Sequence, residues 1–306
     1  MKKKEMLKIL ENINIPKEKF IIANDASLLY RGIISNIDEL DIIFDDEISI
    51  SNINVIKRIN LNSYDEIDGY HVMKLQDYVI YNKDNKKNIK KINIYIDCQD
   101  TYKYEKELRS KGIKLIGGVD EVGRGPLVGP VVAACCILPE NFSLDGLTDS
   151  KKLTEKQRNY FYEEIKKKAI SYGIGIVDEK RIDEINIYEA TKEAMKQAIL
   201  NCNIKPEHIL IDAMKLDIDI PTTPLIKGDL RSITISAASV LAKVTRDRML
   251  YELDKKYPMY DFKNNVGYPT KKHLEAIEKY GIIDEHRKSY GPVKKYIEEK
   301  NKNRIQ

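Results

Sequence analysis

Apolar and polar positions along the first hundred residues change period several times. KKEMLKILENI carries an apolar stripe of helical spacing, and FIIANDASLLYRGI leads into a strand-like run, ELDIIF, that stops at the acidic turn DDE. HVMKLQDYVIY and KKINIYIDC then alternate apolar with polar, as half-buried strands do, on either side of the polar NKDNKKN. The pattern predicts a small separate α/β unit over residues 1–100. TYKYEKELRSKG is charged at helical spacing and predicts a helical linker over 101–112, with the boundary near residue 110.

Beyond the linker, KLIGGVDEV and GPVVAACCIL are near-continuous apolar runs bounded by turn residues, as strands buried on both faces are. LTEKQRNYFYEEIKKKA predicts a helix capped by Thr154, and ISYGIGIVD a third strand. IDEINIYEATKEAMKQAILNC (helix), HILIDAM and TTPLIKGD (strands) and SITISAASVLAKVTRDRMLYELDKKY (a long helix) complete an α/β domain with a mixed sheet over 113–292. The Lys-rich end, 293–306, reads as a basic tail, a solvated helix or a loose segment.

The chain's 306 residues suit two domains. No uncharged apolar run approaches the roughly 18 residues of a membrane span and no leader-like start is present, so a soluble, cytoplasmic protein, expected as a monomer, is the reading. Cys98, Cys135, Cys136 and Cys202 form no Cys-x-x-Cys pair, and with four scattered His residues they show no zinc spacing, so reduced structural thiols are expected. The net charge of +4 is unevenly placed: residues 1–110 hold 18 Lys+Arg against 19 Asp+Glu, the remainder 34 against 29. That excess points weakly to an anionic partner for the second part.

The candidate chemistry lies at strand ends. Asp120 with Glu121 follows LIGGV, Asp212 follows HILI and Asp229 follows TTPLIKG. A strand-end Asp also serves as a plain turn cap. Together, on one sheet, the four carboxylates would repel and raise one another's pKa unless cations neutralised them, which suits hard divalent ions, Mg²⁺ or Mn²⁺. Two such ions about 4 Å apart can activate water and stabilise a leaving oxygen at a phosphodiester. Adjacent residues Asp120 and Glu121 point to opposite faces of a regular strand, so both act at one site only if the strand end twists. The following Gly123-Arg124-Gly125 matches neither the phosphate loop nor Gly-x-Gly-x-x-Gly, but its glycines let backbone amides approach a ligand closely. Ser236, Ser239, Lys243 and Arg246 share one face of the long helix. Such a stripe is ordinarily solvated, and beside metals it would suit a phosphate backbone.

Several long motifs in order, GGVDEVGRGPLVGPVVAA, LTDSKKLTEKQR, ILIDAM, LIKGDLRSITISAASVLAKVTRDR and VGYPTKKHLEAIEKYG, make residues from about 103 to 292 resemble bacterial ribonuclease HII. The upstream YEKELRSKG resembles the lead-in of its Firmicute members. The resemblance implies an RNase H-like fold: a mixed sheet with flanking helices. It implies two-metal hydrolysis of the RNA strand of RNA/DNA hybrids, with cutting 5′ of a ribonucleotide embedded in duplex DNA, giving 5′-phosphate and 3′-hydroxyl ends. It assigns metal binding and catalysis to Asp120, Glu121, Asp212 and Asp229, reading of the 2′-hydroxyl to Gly123, Arg124 and Gly125, and stacking under the next sugar to Tyr268. Lys151 and Lys152 of DSKKL are candidate phosphate contacts, or a solvated pair. The related ribonuclease HIII typically carries Gly-Lys-Gly and a final Glu; Arg124 and Asp229 favour HII. Asp149 is left outside the catalytic set, as is Asp247, for which pairing with Arg246 or Arg248 is sufficient explanation.

The first hundred residues resemble nucleotidyltransferase-like domains faintly, with Glu39 and Asp41 as the acid-x-acid pair and Asp97 as a third acid. Ala23-Asn24 replaces the glycine turn that admits a triphosphate, so a degenerate module that binds or docks a protein or nucleic-acid partner is expected. Two other functions compete with an endonuclease: a hybrid-binding protein without catalysis, and a bifunctional enzyme that also transfers nucleotides. The intact acids count against the first, since a binder gains nothing from repelling carboxylates. The missing glycine turn counts against the second.

Overall fold

The structure, a computed structural model, describes residues 1–12, 20–35, 37, 40–44, 53–57, 64–68, 70–75, 78, 82, 84–97, 100–144, 146–148, 150–151 and 153–305. It divides into two compact units, Met1–Gln99 and Asp100–Gln306.

In the first unit, helices α1 (Lys3–Asn12), α2 (Asn24–Tyr30) and α3 (Lys86–Asp97) accompany strands β1 (Ile21–Ile22), β2 (Leu40–Phe44), β3 (Ile53–Lys57), β4 (Tyr64–Ile67) and β5 (Tyr70–Met73) in the sheet order β3-β2-β1-β5-β4. β1 runs parallel to β5 and antiparallel to β2, and Met6, Leu10, Ile22, Leu28, Ile42 and Val72 are buried in its core. KKINIYIDC is not a strand as its alternation predicts. It ends α3, because Ile89, Ile92 and Ile96 also stand at helical spacing, and Ile92 is buried in the core. Asp97 therefore closes a helix and is no third acid of the sheet. Position 54, opposite Asp41 on β3, is an Asn whose amide donates to Asp41 Oδ1 at 2.9 Å. Glu39 and Cys98 lie outside the described residues.

The second unit begins with α4 (Lys103–Ser110), which is no bare linker: Leu108 and Glu105 are buried within it. β6 (Ile116–Val122), β7 (Val131–Ile137), β8 (Ser171–Val177), β9 (His208–Asp212) and β10 (Thr222–Leu225) form a mixed sheet in the order β10-β9-β6-β7-β8. All seven residues of β7 are buried because both faces are covered. On one side Val131, Ala133 and Cys135 meet α6 (Glu179–Leu200, broken at Asn186). On the other, Val132, Ala134 and Cys136 meet α5 (Glu155–Lys168) and α8 (Ile233–Lys256), with the four-residue α7 (Gly228–Arg231) just before it. α5 starts at a capping box: Thr154 Oγ1 accepts from the Gln157 amide while the Gln157 side chain accepts from Thr154 N. α8 crosses β6 so closely that a Cβ on Gly118 would collide with the backbone of Thr234 and Ile235. α9 (Phe262–Asn265), α10 (Lys271–Tyr280) and α11 (Gly291–Ile305) build a further layer around Leu127, Val128, Tyr260, Phe262 and Val293. The Lys-rich end is therefore a helix, anchored at Val293. Cys135, Cys136 and Cys202 are free, buried thiols. Among the described residues no helix is long and apolar enough to cross a membrane.

Candidate active site

Three adjacent elements carry the four acids. β6 and β9 are parallel, and the pairing of Val119 with Ile211 brings the next residue of each strand, Asp120 and Asp212, to one level. Leu225 of β10 lies opposite Asp212. The chain then turns at Lys227, a left-handed residue with φ 55°, so Asp229 stands in the first turn of α7, not at a strand end as its place after TTPLIKG predicts.

Protein donors hold three of the four residues. The Gly228 amide donates to Asp212 Oδ1 at 2.7 Å, and the Glu121 amide to Asp120 Oδ1 at 2.8 Å. The second bond ties the Asp120 carboxylate to the next residue of its own strand. Ser239 of α8 hydrogen-bonds Asp120 and stands 2.9 Å from the Ser150 hydroxyl. The Ser236 hydroxyl donates to the Asp229 carbonyl at 2.8 Å.

Burial drives the Asp120 carboxyl well above the usual carboxylate range, and the negative charges of Glu121, Asp212 and Asp229 push the same way. Glu121 is raised mainly by burial and by Asp212, against the pull of the Arg124 guanidinium, 3.3 Å away. Among the described residues no three His, Cys, Asp or Glu side chains already surround one point that a metal would take. The acids are thus an electrostatic cluster rather than a closed cage.

Two buried arginines shape the loop after Glu121. Arg246 donates to the carbonyls of Pro130, Val266 and Val128, each at 3.0 Å. Arg287 donates to those of Gly123 at 2.6 Å, Arg124 at 3.1 Å and Gly129 at 2.7 Å. Gly123 has φ +94°, and a Cβ there would stand 2.6 Å from Arg246 Cδ and 2.8 Å from the Pro130 carbonyl oxygen, so this position takes glycine alone. A Cβ on Gly125 would come 3.2 Å from the Tyr268 ring, which is itself 46% exposed. Loop and tyrosine are neighbours.

The helix-face stripe is corrected by these contacts. Ser236, Ser239 and Arg246 are buried and spend their donors inside the protein, and Lys243 pairs with Asp247 at 2.7 Å. The stripe is therefore no solvated face: it turns toward the acids and the loop. Asp247 pairs with Lys243, where Arg246 or Arg248 was expected; Arg248 bonds Glu163 instead. Lys151 is exposed. Lys152 and Asp149 lie outside the described residues. Arg287 is the residue that sequence reasoning missed, because nothing in EHRKSYGP marks an arginine as buried.

Fold and acids together define a nuclease of the ribonuclease H class. The family model for Ribonuclease HII matches residues 117–292, and the chain belongs to that family. Ribonuclease HII of Bacillus cytotoxicus is 60% identical over 198 residues, covering 65% of this chain and 76% of the relative. That of Bacillus anthracis is 62% identical over 195 residues, covering 64% and 76%. The crystal structure of ribonuclease H2 from Pyrococcus horikoshii is 29% identical, with a TM-score of 0.54, and covers 61% of this chain and 99% of that one. The chain is accordingly a hydrolase, an endonuclease of the ribonuclease H type. The family match begins at residue 117 and leaves the first unit outside it.

Proposed function

We propose that the protein hydrolyses the RNA strand of RNA/DNA hybrids and cuts 5′ of single ribonucleotides in duplex DNA, with Asp120, Glu121, Asp212 and Asp229 holding two divalent ions, Mg²⁺ or Mn²⁺. The observation that carries this reading is the mutual repulsion of the clustered acids beside a glycine loop packed on Tyr268. The donors fit hard cations: all are carboxylate oxygens, and the charges of Glu121, Asp212 and Asp229 press on Asp120, a repulsion that a cation would relieve. When bound, the ions supply the Lewis acidity for in-line attack on the phosphodiester.

The chain's own residues do the rest. Ser239, the Gly228 amide and Ser236 fix Asp120, Asp212 and the Asp229 backbone in place. In a trans peptide the N–H points opposite to the preceding C=O. With the carbonyls of Gly123 and Arg124 tied to Arg287, the amides of Arg124 and Gly125 face away from it, available to a 2′-hydroxyl, the group that separates RNA from DNA. The Tyr268 ring beside Gly125 gives the neighbouring sugar a surface to rest on. The basic excess of the second part, and Lys151 and Lys152 within it, would meet the phosphates.

The test is a DNA duplex containing one ribonucleotide, incubated with each metal and with neither, the cut being located on a sequencing gel. A cut 5′ of the ribonucleotide, dependent on metal and absent from the all-DNA control, is expected. Tight binding with no cut under any metal would favour the non-catalytic hybrid-binding alternative.

A further inference from the structure

Behind Tyr268 lies a pair of histidines that the reaction as described does not use. His273 on α10 and His286, in the segment before α11, are both fully buried, edge-on to the rings of Tyr260 and Phe262. Their Nε2 atoms are 3.2 Å apart. The Ile283 amide lies 3.0 Å from His286 Nδ1, and His273 Nδ1 lies 2.9 Å from the Tyr268 carbonyl oxygen.

These contacts admit one arrangement of hydrogens. An amide only donates and a carbonyl only accepts, so His286 Nδ1 accepts and His273 Nδ1 carries hydrogen. Each neutral ring holds one N–H. His286 Nε2–H must therefore donate to His273 Nε2, and the chain runs in one direction from the Ile283 amide to the Tyr268 carbonyl. A second proton on either ring would set two N–H groups face to face. Burial pushes the pKa of both rings down, His286 to about 3, in keeping with two neutral imidazoles.

His286 and its neighbour Arg287 grip different parts of the site. Arg287 holds the carbonyls of Gly123 and Arg124, and His286 also faces Val128 in a bridge from the same loop. Through His273, His286 reaches the tyrosine that packs against Gly125. One short segment thus sets both sides of the gap between loop and ring.

We infer that His273 and His286 are positioning residues for cleavage, a fixed-tautomer relay that holds the Tyr268 backbone so that its ring keeps its spacing from Gly125. This rests on the reading of Tyr268 given above.

The experiment uses the full-length protein and a duplex with one ribonucleotide, comparing His273→Leu, His273→Asn, Tyr268→Ala and the double variant His273→Leu/Tyr268→Ala. Asn places an amide N–H where His273 Nδ1 stands, so it keeps the bond to Tyr268 and gives up the one to His286. His273→Leu should lower kcat about tenfold, and His273→Asn should recover most of that loss. In the Tyr268→Ala background, His273→Leu should cost nothing further, since its effect passes through the ring. Equal losses in both backgrounds, or no rescue by Asn, would overturn the inference. Undiminished cleavage by Tyr268→Ala alone would instead overturn the reading of the tyrosine, a distinguishable result. Should His273→Leu fail to fold, ¹⁵N spectra of the wild-type imidazoles decide: hydrogen on His273 Nδ1 and His286 Nε2 supports the relay, and any other pair of tautomers overturns it.

Discussion

At Asp120 two costs meet, the loss of water and the nearness of three other carboxylates, and the structure offers Ser239 and one backbone amide in return. A neutral isostere should separate stability from activity here. Asp120→Asn is expected to raise the melting temperature of the metal-free second unit at pH 7.5 by roughly 2–4 °C, the shift that about 1 kcal/mol produces in a domain of its size, Asp100–Gln306. The same change should cut turnover by about two orders of magnitude or more, because a site that stabilises the transition state by several kcal/mol loses a ligand. Calorimetry with chelator and a single-turnover assay measure the two effects; near-normal turnover would remove Asp120 from the proposed site. These acids were legible because each closes an apolar run or follows one, a place where charge is unexpected. Arg246 and Arg287 were not. An arginine donating all round to carbonyls looks, in sequence, like one facing solvent, and only the folded loop supplies the acceptors.

Among the elements, α8 shows how far periodicity reaches. Spacing correctly puts Ser236, Ser239, Lys243 and Arg246 on one face, but α8 is enclosed on several sides along its first half, so period alone cannot say which side meets solvent. Its start is fixed by a residue outside it. Glu105 on α4 accepts from the Ser232 hydroxyl at 2.6 Å, the Thr234 hydroxyl at 2.8 Å and the Thr234 amide at 3.1 Å, while burial pushes its carboxyl upward in pKa. Glu105→Ala strands those donors in the interior and should cost about 3 kcal/mol in urea denaturation; a loss under about 0.5 kcal/mol would mean that water or Ser232 itself replaces the carboxylate. The histidine layer carries a pH signature. His286 has a folded pKa of about 3 against an ordinary 6.5, through burial first and His273 second. Above 6.5 both folded and unfolded states are neutral there. Below it the unfolded chain takes a proton that the folded one refuses, so stability falls as pH drops from 6.5 toward 3. His286→Asn, which keeps an acceptor for the Ile283 amide, should flatten the melting-temperature profile across that window, and an unchanged slope would show that His286 does not titrate as stated. α3 shows the opposite limit: IKKINIYI satisfies a strand period and a helix period at once, and the choice between them was made by Ile92 packing into the first unit's core.

For the molecule as a whole, two units were legible from the shift in pattern and charge, the first ending near residue 100, while the place of segment 101–112 was not, because a charged, amphipathic segment looks the same whether it bridges domains or packs on one. The contacts place the edge between the units at Gln99 and Asp100. The Ile233 amide donates to the Thr101 carbonyl at 2.9 Å, the Tyr102 hydroxyl donates to the Phe142 carbonyl and Glu105 holds the head of α8, so the segment 100–110 belongs to the nuclease unit in energy as well as in space. Two truncations should therefore behave differently. A chain beginning at Asp100 retains these bonds, all four acids, the loop and Tyr268. It is expected to fold and to keep metal-dependent cleavage, with at most modestly weaker duplex binding or the loss of a partner, since residues 1–110 carry 18 Lys+Arg against 19 Asp+Glu and add little attraction for a polyanion. A chain beginning at Ile113 strips the cap from α8 and uncovers Ile116, Leu210 and Ile235, which pack with Leu108, so it should melt far lower or fail to fold. Melting curves and cleavage of the one-ribonucleotide duplex by both chains decide the matter. Equal stability of the two would make α4 a linker after all, and an inactive chain from Asp100 that still binds metal would show that the first unit contributes to the site.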